Sequence, residues 1–101
     1  MIPVELTDAA REDTRERIDY FFSFGWPSAQ RFVEELDAVF ARLGAYPELG
    51  RERADLGEHV RSFPFRDHLV FYRRDRHRLL VLRVVHGSRE ISIQMPGSTR
   101  E

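Results

Sequence analysis

Apolar and polar positions alternate from Ile2 to Thr7, with Ile2, Val4 and Leu6 on one side, which predicts a short strand with one buried face. Thr7 or Asp8 then offers an oxygen to cap a helix. From Asp8 to about Ser23 the period changes: Ala10, Thr14, Ile18 and Phe21 or Phe22 recur every three or four residues, with Arg11, Glu12, Arg15, Glu16 and Asp19 on the wet side. Gly25 can end this helix, and Pro27 suits the first turn of another, whose stripe runs through Ala29, Phe32, Val33, Leu36, Val39, Phe40 and Leu43. An αα-hairpin over residues 8–45 follows from the two stripes. Pro47 to Gly57 reads as a surface connection held by Leu49 and Leu56.

Three β-rich runs come next, His59 to Phe65, His68 to Arg74 and Arg78 to His86. The gaps between them are too short for crossovers, so these strands are expected to be antiparallel. Strict alternation in the last run would put Leu79, Val81, Arg83 and Val85 on one face and Leu80, Leu82, Val84 and His86 on the other. Apolar residues on both faces imply a central strand covered on both sides, or a face kept for a partner. After Gly87, the alternation of Ile91, Ile93 and Met95 suggests a brief edge strand. The expected class is α+β, with the hairpin packed on a small antiparallel sheet in the order β-α-α-β-β-β, as one domain over residues 1–101.

Composition narrows the chemistry. With no cysteine, disulfides, thiolate catalysis and Cys-type zinc sites are excluded. All 16 basic residues are arginine, so no lysine can serve as acid, base or Schiff-base former. Residues 1–60 hold 13 acidic and 7 basic side chains, net −6, whereas residues 61–101 hold 4 and 9, net +5. Such a split fits either an anionic partner for the C-terminal half or mutual neutralisation within one fold. The start of the chain has no basic segment followed by an apolar run, and no 18 apolar residues occur in succession, so a cytoplasmic protein without membrane contact is expected.

Motifs for other chemistries are weak. His59, His68, His77 and His86 recur every nine residues, but odd spacing on strands sends successive members to opposite faces. No metal or cofactor is expected from this pattern. Ser62, Ser88 and Ser92 lack an elbow or triad context, no glycine-rich phosphate loop is present, and neither helix is lined with arginine as a DNA-recognition helix would be.

The whole pattern resembles a known superfamily. The opening strand runs into LTDAARED, then come the spacing Gly25, Ala29, Phe32, Leu36, Pro47-x-x-Gly50, Val60-Arg61-x-Phe63, Val70-Phe71-Tyr72-Arg73, and Arg83-Val84-Val85-His86-Gly87-x-Arg89-Glu90. This sum resembles the RelE/ParE superfamily of bacterial toxins, most closely its ParE branch, from Val4 to Glu90. The resemblance implies a toxin neutralised by a cognate ParD-like antitoxin in a hetero-oligomeric complex, and inhibition of DNA gyrase by binding. Contacts with antitoxin or target would fall on Trp26 and Phe24 near the hairpin tip and on Arg73, Arg74 and Arg89 of the basic half. Phe21, beside them, is a further candidate that suits the core better, and core burial is an equal alternative for Trp26.

The RelE branch implies an alternative, a ribosome-dependent mRNA endonuclease acting with ribosome and mRNA as partners. Such cleavage needs a base, a cationic clamp and an acid at one phosphate. Arg61 and Arg83 offer a clamp and His86 an acid or base. Departures from the nuclease pattern are the absence of lysine, the absence of any tyrosine after Tyr72, and Leu69 rather than arginine after His68. Arg83 has a structural alternative, an ion pair with a carboxylate such as Glu5 or Asp67, while His86 equally suits a turn before Gly87 and Tyr72 suits packing.

Overall fold

The computed structural model describes residues 1–87. Two helices lie across a five-stranded mixed sheet. The chain order is β1 (Val4–Leu6), α1 (Asp8–Phe22), α2 (Trp26–Ala45), β2 (Arg51–Glu52), β3 (Val60–Phe65), β4 (His68–Arg74) and β5 (Leu79–His86), and the sheet order is β1-β5-β4-β3-β2. The α+β architecture is the expected one, with two additions. β1 joins the edge in parallel with β5, pairing Val4 with Leu79 and Leu6 with Val81, so the sheet is not wholly antiparallel. The helical hairpin supplies the long crossover that a parallel pair requires. Within the segment expected as a surface connection, Arg51 and Glu52 pair with Ser62 and Arg61 as a two-residue strand. The residues read as a last edge strand, Ile91 to Met95, lie outside the described part.

Each helix starts where its local chemistry allows. Thr7 caps α1: its Oγ1 accepts the Ala10 N–H at 3.0 Å and donates to the Leu82 carbonyl at 2.9 Å, so one hydroxyl fastens the helix to the sheet. At the hairpin tip Gly25 adopts φ +109°, a region closed to most side chains, and Pro27 sits in the first turn of α2. No described helix is long and apolar enough to cross a membrane.

Between helices and sheet, Ala10, Phe32, Leu36, Leu43, Phe65, Val70, Tyr72, Leu79, Val81 and Val84 form the main core. Val60, Phe71, Leu80, Leu82 and Val85 cluster on the opposite face, with Leu56 and Leu69 packed against them. β5 is thus central and buried on both sides, but the face assignment from alternation fails halfway. Phe71 pairs with Arg83 and Tyr72 with Val81, leaving Leu82 as the extra residue of a β-bulge. A bulge shifts the side-chain phase by one residue. Leu79 and Val81 therefore share the helix side with Val84, while Val85 joins Leu80 and Leu82 on the other.

Candidate functional site

Three surfaces carry the residues singled out by sequence. The first is a groove of about 370 Å³ where α1, α2 and β1 meet, lined by Val4, Leu6, Thr14, Ile18, Val33, Leu36, Asp37 and Phe40. Its lining follows from the two helical stripes: Thr14 and Ile18 are one turn apart on α1, as are Val33, Leu36 or Asp37, and Phe40 on α2. Apart from Asp37 and the Thr14 hydroxyl, the walls are apolar.

The second is the hairpin tip. Phe24 and Trp26 are 65% and 60% exposed, and beside them Phe22 and Tyr20 are 54% and 48% exposed. Tyr20 meets Phe24 edge-on at 5.2 Å, and Phe22 meets Trp26 at 5.9 Å. Phe21 instead stacks on the buried Phe32 ring at 4.9 Å and packs against the core. The exposure of Phe22 and Tyr20 was not foreseen, because Phe22 shares the spacing of the apolar stripe and only the turn geometry decides which of two adjacent phenylalanines goes inward.

The third is the arginine-rich sheet. Arg61 donates to the Gly50 carbonyl at 2.7 Å and pairs with Glu52 at 3.3 Å. Arg66 pairs with Glu35, Arg74 with Glu48, Arg78 with Glu5 and with Asp75, and Arg83 with Asp13. Five arginines of the basic half thus bond carboxylates of the acidic half, so a large part of the charge split is neutralised internally. Exposed pairs of this kind contribute little each. Arg73 is half-buried at the register of Val60 and Leu80 on β4. Arg74 and Arg61 line an open polar cleft of about 550 Å³ with Glu48, Glu52, His59, Asp75 and Arg76. Arg89 lies outside the described residues.

Arg83 makes the most enclosed of these pairs. Its Nε and Nη2 donate to the two Asp13 carboxylate oxygens at 2.7 and 2.9 Å, and the Val84 N–H donates to Asp13 Oδ2 at 2.9 Å. The hydrogen bond to Asp13 pushes the Arg83 pKa upward. Neither Glu5 nor Asp67 is its partner: Glu5 accepts from Arg78 at 2.7 Å. Asp13 had one sequence signal, since it stands three residues after the buried Ala10 on the inward side of α1, where a carboxylate needs a partner.

Arg61, Arg83 and His86 are not brought to one point. Arg61 stands opposite Tyr72 and His86 opposite His68, four residues apart along β4, or ~13 Å. Arg83 between them is held by Asp13 at the α1 side. His86 meets the His68 ring edge-on at 5.6 Å. His68 is buried among Phe32, Phe65 and His86, and neither ring nitrogen has a hydrogen-bond partner among the described residues. Burial first, then the Arg17 charge and the neighbouring His86, pushes its pKa down to about 4. Among the described residues no group of three or more His, Asp or Glu side chains is arranged to hold a metal ion.

A helical hairpin over a five-stranded mixed sheet, with an apolar groove along the hairpin and arginines spread over the sheet, defines a RelE/ParE-like toxin fold. A family model described as the ParE toxin of the type II toxin-antitoxin system, parDE, matches residues 4–91, and the chain belongs to this family. Toxin ParE3 of Caulobacter vibrioides is 33% identical over 67 residues, covering 66% of this chain and 67% of the relative. Among solved structures, a chain of the chromosomal ParDE toxin-antitoxin system from P. aeruginosa superposes with a TM-score of 0.70 at 18% identity, over 85% of this chain and 96% of its own. A chain of the toxin-antitoxin complex RelBE2 from Mycobacterium tuberculosis gives 0.55 at 25% identity, over 84% and 90%. The chain is therefore a type II toxin of the ParE family.

Proposed function

We propose that this toxin acts by binding and inhibiting DNA gyrase in the cytoplasm, and that a cognate ParD-like antitoxin neutralises it in a hetero-oligomeric complex. Family membership over residues 4–91 supports the target. The observation that carries a binding rather than bond-breaking mode is the separation of Arg61, Arg83 and His86, with Arg83 engaged by Asp13. General acid-base cleavage needs its groups within hydrogen-bond reach of one phosphate.

The apolar groove between α1, α2 and β1 supports the antitoxin part. A helix laid there would bury an apolar stripe against Ile18, Val33 and Phe40 and place a basic residue opposite Asp37. Purified gyrase supercoiling relaxed plasmid, assayed with rising toxin, tests the target, with inhibition at micromolar protein expected and relieved by the product of the neighbouring reading frame. Untouched supercoiling together with codon-position cleavage of mRNA on translating ribosomes would overturn the reading in favour of an endonuclease.

A further inference from the structure

We infer that the uncharged aromatic knob at the hairpin tip is the part of the toxin that enters an apolar pocket of its protein target; the inference rests on the gyrase reading above. The residues from Tyr20 to Gln30 form the longest stretch of the chain without a charged side chain, and they hold five aromatic rings. On either side the hairpin bristles with charge, from Arg11 to Asp19 on α1 and from Arg31 to Asp37 on α2.

Four of the five rings face solvent, and the backbone beneath them is fixed. The Gly25 N–H donates to the Phe22 carbonyl at 2.8 Å, the Phe24 N–H to the Phe21 carbonyl at 3.0 Å, and the Gly25 carbonyl accepts the Ser28 N–H at 3.1 Å. Pro27 removes further freedom from the turn. Rings held on a rigid turn lose little entropy on docking, and tryptophan, tyrosine and contiguous exposed apolar surface are enriched where binding energy concentrates.

Charge decides what kind of partner fits. Phosphate backbones and acidic peptides are bound by cations; the stretch itself has none, and Arg17 stands at its base with its guanidinium 4.4 Å from the Tyr20 ring centre, so the surface complementary to Phe22, Phe24 and Trp26 is apolar, with an acceptor for the Trp26 indole N–H. Area decides against a contact made by the knob alone. Four rings about half exposed, at roughly 200 Å² each, offer ~450 Å², well below the ~800 Å² per partner of a stable interface. The knob is therefore the anchor of a larger contact, which the gyrase reading assigns to the target, and a response to the toxin's own concentration is the outcome that would assign it to a second copy.

Trp26 is the sole tryptophan, so 5-fluorotryptophan labelling gives a single fluorine resonance at the knob. Adding purified gyrase is expected to shift or broaden that line, and the double variant Phe24→Ser, Trp26→Ala is expected to need at least tenfold more protein to inhibit supercoiling while keeping the wild-type circular dichroism and melting temperature. A line indifferent to gyrase although the labelled toxin inhibits it, a response only to the antitoxin or only to the toxin's own concentration, or full potency in the folded double variant would overturn the inference and leave the gyrase reading intact. Failure of the wild-type toxin to inhibit would remove both.

Discussion

The Tyr72 phenol oxygen lies 2.7 Å from the Gly50 amide nitrogen and accepts its N–H, while the same hydroxyl donates to the Pro47 carbonyl at 2.7 Å. One buried side chain of β4 therefore closes the Pro47-x-x-Gly50 turn from both ends. A Cβ on Gly50 would stand 2.6 Å from that oxygen and 2.8 Å from the Ser62 carbonyl, so the glycine is required by space. Tyr72→Phe is expected to cost roughly 1–3 kcal/mol, because the buried Gly50 N–H and the partly buried Pro47 carbonyl lose their partner. Gly50→Ala should cost about 1–3 kcal/mol through overpacking. Equilibrium denaturation measures both, and a cost below about 0.5 kcal/mol for each would mean the turn is not held this way.

Asp13→Ala removes both bonds to Arg83 and the acceptor for the Val84 N–H. With both side chains mostly enclosed, the loss is expected at roughly 2–4 kcal/mol, toward the lower end of what breaking a buried pair costs. In a cycle built on Asp13→Leu, adding Arg83→Met should recover part of the loss, since the ion pair is then removed as a whole. Strict additivity in that double-mutant cycle would contradict direct coupling.

Acid stability should carry the signature of His68. Its folded pKa is pushed down to about 4, below the ordinary ~6.5, so folding excludes a proton that the unfolded chain binds. The neutral ring's stability is fully present above pH ~6.5 and is lost as pH falls from there toward 4, by on the order of 3 kcal/mol in all. Over the same range His68→Phe should show a flatter curve of unfolding free energy against pH. Parallel curves for the two proteins would refute the assignment.

Phe32 and Leu36 anchor α2 in the main core, at 0% and 5% exposure. Truncation of either to alanine is expected to cost roughly 2–5 kcal/mol through the cavity left behind. Denaturation midpoints near wild type for both would mean the hairpin does not rest on the sheet.

Much of this architecture is written in local periodicity. The stripe from Ala29 to Leu43 foretells α2 almost to its ends, and the run from His68 to Arg74 matches β4 residue for residue, because each signal lies within one element. What stayed hidden depends on contacts between distant segments. The parallel docking of β1 on β5 and the Arg83 partnership with Asp13 join residues 75 and 70 positions apart, and strand alternation has no term for the residue inserted at Leu82. At the hairpin tip, Phe24 and Trp26 are surface candidates in the sequence because Gly25 and Pro27 mark a turn there, although for Trp26 the core is an equal alternative until its 60% exposure decides it. Phe22 was not, since its spacing is that of a buried residue.

The Thr7 hydroxyl reaches a carbonyl 75 positions later in the chain, and Val4 and Leu6 beside it form one wall of the apolar groove. During synthesis that wall has only the helices to rest on, through Ile2 at the Gly44 end of α2, until Leu79 to Leu82 have left the ribosome. The groove is thus completed only when a strand more than 70 positions further along the chain has joined the sheet, and a ligand that fits the groove meets chains in which that strand has already docked.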